Sequence, residues 1–121
     1  MPVLDKNLEI RKIINMKTNT IKTELKNYIE ENINNYAPNN EDLHFHLFNE
    51  GYYIIGYYNA EQWLKEHNIS VFEGIEFVQE YERENFGTVK TYDNAESLVN
   101  MIVYIVGGEL IYQEEYHKEL I

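Results

Sequence analysis

Residues 98–106 read Leu98-Val99-Asn100-Met101-Ile102-Val103-Tyr104-Ile105-Val106, a run that is apolar on nearly every side of a helical wheel. Such a helix has no face to offer water, so it is predicted to be the central buried element of the molecule. Just upstream, Asp93 and Glu96 stand three residues apart and predict the helix start, because a short side chain at the cap accepts a bond from a free backbone N–H. Just downstream, Gly107-Gly108 either interrupts the helix or lets a neighbour pack closely. The acidic, amphipathic stretch from Tyr112 to Ile121 can continue it.

A buried helix needs others to cover it. Ser70 and Glu73 form a capping box, and the helix they open is predicted to run to Phe86 and stop at Gly87. Its core face is read as Val71, Ile75 and Val78. Glu82 falls on the same side, where it is expected to sit at a frayed end or to pair with Arg83 or Lys90. Asn59 predicts the cap of a helix through Trp63 and Leu64 to His67. Asn40, with Glu41 and Asp42 in the first turn, opens a short helix carrying Leu43, Leu47 and Phe48 that is expected to stop near Asn49-Glu50-Gly51. In Tyr52-Tyr53-Ile54-Ile55-Gly56-Tyr57-Tyr58 the aromatic and β-branched residues favour a strand, but a lone strand is disfavoured and Val89–Tyr92 is its one candidate partner, so strand and helix both stay open. Ile10, Ile13, Ile14, Ile21, Leu25 and Tyr28 share one helical face, on which Lys17 also falls. Thr18-Asn19-Thr20 leaves two readings open, one long helix or two joined near residue 19. The Tyr36-Ala37-Pro38-Asn39 stretch ends it. The fold class is therefore mainly α: one domain over residues 1–121, about five helices, with a basic helical segment 1–36, an acidic helical body 40–121 and room for a small β-hairpin.

Charge is distributed unevenly over this plan. Residues 1–29 hold six lysines and arginines against three acids, residues 30–121 hold four against eighteen, and the chain carries a net −11. A body this acidic repels nucleic acid and anionic membranes and attracts basic partners. At 44% hydrophobic residues over 121 positions the composition is still that of a folded domain. The absence of cysteine excludes disulfides and thiolate metal sites. No apolar stretch resembles a secretory signal or a membrane span, so a cytoplasmic location without membrane attachment is expected.

The acid is most organised at Glu73, Glu76, Glu80 and Glu84, which fall along one stripe of the helix at 70–86 with Phe77 and Tyr81 at its edge. Carboxylates steer the approach of a basic groove, rings supply buried contact area, and a regular row of carboxylates imitates a phosphate track. Glu114, Glu115 and Glu119 form a second acidic patch. The competing reading of the row is a solvated helix face.

Other constellations carry less chemistry. His44-Phe45-His46 places two imidazoles on different sides of a helix, so no metal site is read there. Carboxylate pairs involving Glu61 or Glu66 are expected by chance among so many acids, and no nucleophile motif or phosphate loop is present, so neither an enzyme nor a cofactor is expected. Tyr52, Tyr53, Tyr57 and Tyr58 could stack bases only in a basic groove, and residues 41–64 hold no lysine or arginine. The basic N-terminal segment is expected to pack against the acidic body, within one chain or across a homodimer formed through residues 10–28.

Residues 44–63 (HFHLFNEGYYIIGYYNAEQW), with QEYERENFG at 79–87 and LVNMIVYIVGGELI at 98–111, resemble small acidic proteins encoded by bacteriophages, over roughly the last two-thirds of the chain. The resemblance implies expression in the cytoplasm of an infected bacterium, and it carries no catalytic residue across. Class-level analogy adds the phage inhibitors of host nucleases and DNA-binding proteins, some of which mimic DNA, although no motif here matches a particular anti-defence family. The expected function is an anti-defence inhibitor that occupies the basic surface of a host nucleic-acid-binding protein. The alternative is a structural or accessory helical oligomer of a phage assembly.

Overall fold

The computed structural model describes the backbone of residues 2–33 and 41–120, and the side chains of residues 17–33 and 41–112. The described residues form α1 (Pro2–Asn32), α2 (Glu41–Ile54), α3 (Ala60–Glu66), α4 (Val71–Phe86) and α5 (Ala95–Leu120), and no strand.

The predicted central helix is α5. Leu98, Val99, Met101, Ile102, Val103, Ile105, Val106 and Ile111 are all buried, and each of the other four helices packs on it. Its window Ala95–Tyr112 is long and apolar enough to cross a bilayer, but 56% of it is buried inside the protein, which is the pattern of a core helix. The cap is Asn94 and not Asp93: the Asn94 side-chain oxygen accepts from the Ser97 N–H at 2.8 Å. Gly107 and Gly108 do not interrupt the helix; they permit close packing. A Cβ on Gly107 would collide with Leu47 Cδ1, and one on Gly108 with the His44 ring. Together with Gly51 against Val103, these contacts show α2 and α5 running in opposite directions.

The tyrosine-rich segment forms no hairpin, and of the two readings left open for it the helix holds as far as Ile54. α2 passes through a kink at Glu50 (φ −129°, ψ 22°) and stays helical to Ile54, beyond the stop expected at residues 49–51. Residues 89–92 are irregular and pair with no strand. Burial of Tyr52 and the close seat of Gly51 on α5 outweigh the local strand preference. The chain turns at Gly56, in the left-handed region at φ 88°.

α1 is one helix with no joint at residue 19; the Thr23 hydroxyl donates to the Asn19 carbonyl within the intact helix. Ile21, Leu25, Ile29 and Ile33 enter the core. Half of the seam read as a homodimer surface is thus internal, while the side chains of Ile10, Ile13 and Ile14 lie outside the described residues, as do the Pro38 stop and the Asn40 cap. The lysines of α1 whose side chains are described turn to the chain's own acids: Lys17 to Glu73 at 2.7 Å, Lys22 to Glu109 at 3.0 Å and Lys26 to Glu30 at 4.0 Å.

Candidate partner-binding surface

α4 is built as its caps predict. The Ser70 hydroxyl accepts from the Glu73 N–H at 3.1 Å, and Gly87 closes the helix in the left-handed conformation at φ 74°. The buried line is Gly74, Val78 and Glu82; of the predicted face Val78 is fully buried, Ile75 packs half-buried against the core and Val71 is exposed. Gly74 causes the rotation: with no side chain it lets Leu98 and Ile102 of α5 against the backbone, and Val71 is left 54% exposed.

This register places the candidate residues as follows. Glu73 is taken into the structure by its ion pair with Lys17, and the Lys17 ammonium holds its carboxyl below the usual range against the opposing effect of burial. Glu76 and Glu80 are half-buried and Glu84 is exposed. Among the described residues neither Glu76 nor Glu84 meets a basic partner, and Arg83 is the single base of α4. Phe77 and Tyr81 are half-buried and pack against the core, so they border the acidic row but do not stand free in solvent. For Glu114, Glu115 and Glu119 the structure gives a helical backbone only; their side chains lie outside the described residues.

Tyr81 leads to a feature that no sequence window contains. Its hydroxyl lies close enough to those of Tyr104 and Tyr112 on α5 for their charges to raise its pKa, after the larger effect of burial. The His44 ring stacks on Tyr104 at 3.7 Å with an 8° tilt and meets Tyr112 edge-on at 5.9 Å. Phe48 packs edge-on to Tyr104 at 5.6 Å and touches Phe45 at 6.1 Å, while Tyr81 meets Phe86 at 5.9 Å. α2 and α5 thus share an aromatic seam, and Tyr81 and Phe86 of α4 form a second ring pair beside it. Phe45 (61%), Tyr112 (58%) and Phe86 (56%) are the exposed members of the two. Glu80 and Glu84 lie on α4, three residues from Phe77 and Tyr81 respectively, and Glu41 lies within electrostatic range of Tyr104. The two-residue step between His44 and His46 was the one sequence signal: His44 Nε2 reaches the Tyr104 carbonyl at 2.8 Å, and His46 Nε2 the Tyr28 hydroxyl at 2.8 Å.

Glu82 lies on the core side, as its place on the helical wheel predicts, but not in the setting expected for it. It is 1% exposed, at neither a frayed end nor an ion pair with Arg83 or Lys90. Tyr92 hydrogen-bonds to it from the loop before α5, and its Oε1 has no partner among the described residues.

A polar cleft of about 390 Å³ opens between α1 and the α3–α4 turn, lined by Lys17, Thr20, Glu24, Tyr57, Glu66, His67 and Asn68. His67 Nδ1 meets the Trp63 carbonyl at 2.7 Å and Nε2 meets Glu24 at 3.0 Å, so both ring nitrogens are engaged. The imidazole ties α3 to α1 and presents no nitrogen to the cleft. No group of three or more potential metal-ligating side chains forms among the described residues. Comparison with known protein families, curated proteins and solved structures finds no match to this chain.

Proposed function

We propose that this protein is a small acidic binding protein that occupies a basic, nucleic-acid-binding surface of a bacterial host protein. The observation that carries the reading is how charge is divided within the fold. Lys17, Lys22 and Lys26 of the basic segment lie against acids of the same chain, while Glu76 and Glu84 of α4 keep no basic partner among the described residues. Along α4 the charge left over is therefore acidic, with Arg83 its single base. Glu76, Glu80 and Glu84 recur every four residues, a rise of about 6 Å per step, and offer a basic groove a row of negative charge as a phosphate backbone does. The bacterial cytoplasm as the setting follows the sequence resemblance to small acidic phage proteins, and the anti-defence use is taken by analogy with phage inhibitors as a class.

Affinity capture from bacterial lysate tests this reading. The wild-type chain should retain a nucleic-acid-binding protein at low salt and release it as salt screens the contact. The Glu76→Lys/Glu84→Lys variant should not retain it. Equal retention by the charge-reversed variant would contradict the assignment.

A further inference from the structure

We infer that the aromatic seam between α2 and α5, with the acidic α4 beside it, reads arginine, and that the partner segment seated on it presents guanidinium groups. The inference rests on the proposed binding role and names the side chain recognised. Phe45 and Tyr112 are the exposed ends of a ring cluster that runs through Phe48, Tyr104 and His44, and exposed Phe86 pairs with Tyr81 on the neighbouring α4. His44 is held in the cluster twice, by its stack on the Tyr104 ring and by the bond of its Nε2 to the Tyr104 carbonyl. A ring face carries partial negative charge and attracts a cation laid over it, and the planar guanidinium stacks on it better than an ammonium does.

Charge selects this occupant over others. α2 holds Glu41, Asp42 and Glu50 and no lysine or arginine, and α4 holds five glutamates against Arg83. A second copy of the chain would bring acid against acid across the same face, which the net charge of −11 opposes. A basic segment instead gains ring contact at the centre and carboxylate contact at the edge. Lysine satisfies the second and gains little from the first.

The probes are two peptides of equal length and charge, all arginine and all lysine, titrated calorimetrically into the full chain at low salt. The arginine peptide should bind tighter by roughly five- to thirty-fold, the range given by two stacked guanidinium groups. Phe45→Leu/Tyr112→Leu keeps apolar bulk at exposed positions, so the fold should hold, with an unchanged urea midpoint as the check. This variant should lower arginine-peptide affinity to the lysine-peptide level and leave the lysine peptide unaffected. Glu76→Lys/Glu84→Lys should weaken both peptides alike. Equal affinity for the two peptides, or an arginine preference that survives Phe45→Leu/Tyr112→Leu, would overturn the inference while leaving the acidic binding role intact. A dimer in light scattering that this variant abolishes would assign the seam to a second copy and overturn it too. Failure of both peptides to bind would overturn the binding role itself.

Discussion

Glu82 shows how a single residue departs from pattern for a reason that periodicity cannot show. The wheel places it on the core side, and there it lies, against an assumption that a carboxylate must escape or find a base. What receives it is the Tyr92 hydroxyl from a loop that no helical period predicts. Removing that donor leaves a buried carboxyl with neither oxygen bonded, so Tyr92→Phe should lower stability by about 1–3 kcal/mol in urea unfolding. In a Glu82→Leu background the same change should cost far less, because the group needing the bond is gone. Equal costs in both backgrounds would contradict the pairing. Tyr92 has its pKa pushed up to about 12 by burial and then by the charge of Glu82, and Tyr52 to about 12 by burial and then by the Tyr53 and Glu96 contacts, both from an ordinary 10.0. A raised folded-state pKa gives stability that is complete below the unfolded value and lost as pH rises through the folded one. Stability should therefore fall between pH 10 and about 12, in step with late tyrosinate absorbance. Ionisation of all tyrosines in one step near the ordinary value would contradict this.

At the scale of elements, helix starts and stops were the most legible features, because each is a local bond: Ser70 to Glu73, Asn59 to Gln62, and Gly87 in its left-handed turn. Strand and helix stayed open at Tyr52–Tyr58 because its composition favours extended backbone, while the decisive interaction is the seat of Gly51 on Val103, far away in sequence. A Cβ at Gly51 would stand 2.8 Å from Val103 Cβ, a branch point that cannot rotate aside. Gly51→Ala should therefore destabilise by about 1–3 kcal/mol despite the better helix propensity of alanine. A gain in stability would place α2 differently. The same interface carries a pH response. Burial pushes His44 below its ordinary 6.5, against the raising effect of its bond to Tyr104, so its share of stability is complete above 6.5 and lost as pH falls through the folded value. His44→Gln should flatten the decline of stability below that pH, and parallel pH profiles for the two proteins would contradict the role given to the ring.

At the scale of the molecule, the mainly helical plan and the central place of residues 98–106 were legible in the hydrophobic pattern, since a helix apolar on all sides can only be covered. The candidate surface was half legible. The glutamate row is a pattern within one helix and is visible as such, but the loss of Glu73 to Lys17 and the seam that ends in Phe45 and Tyr112 arise from contacts between helices. Charge follows the same logic: a net −11 says only that the whole is acidic, and the fold decides which bases are masked and which acids face outward. The central claim is that this outward face competes with nucleic acid for one basic surface. Its most direct test is to titrate the chain into its captured partner while that partner holds a fluorescently labelled nucleic acid. The account predicts stoichiometric release of the nucleic acid by the wild type and none by Glu76→Lys/Glu84→Lys; a stable ternary complex with the nucleic acid still bound would contradict it.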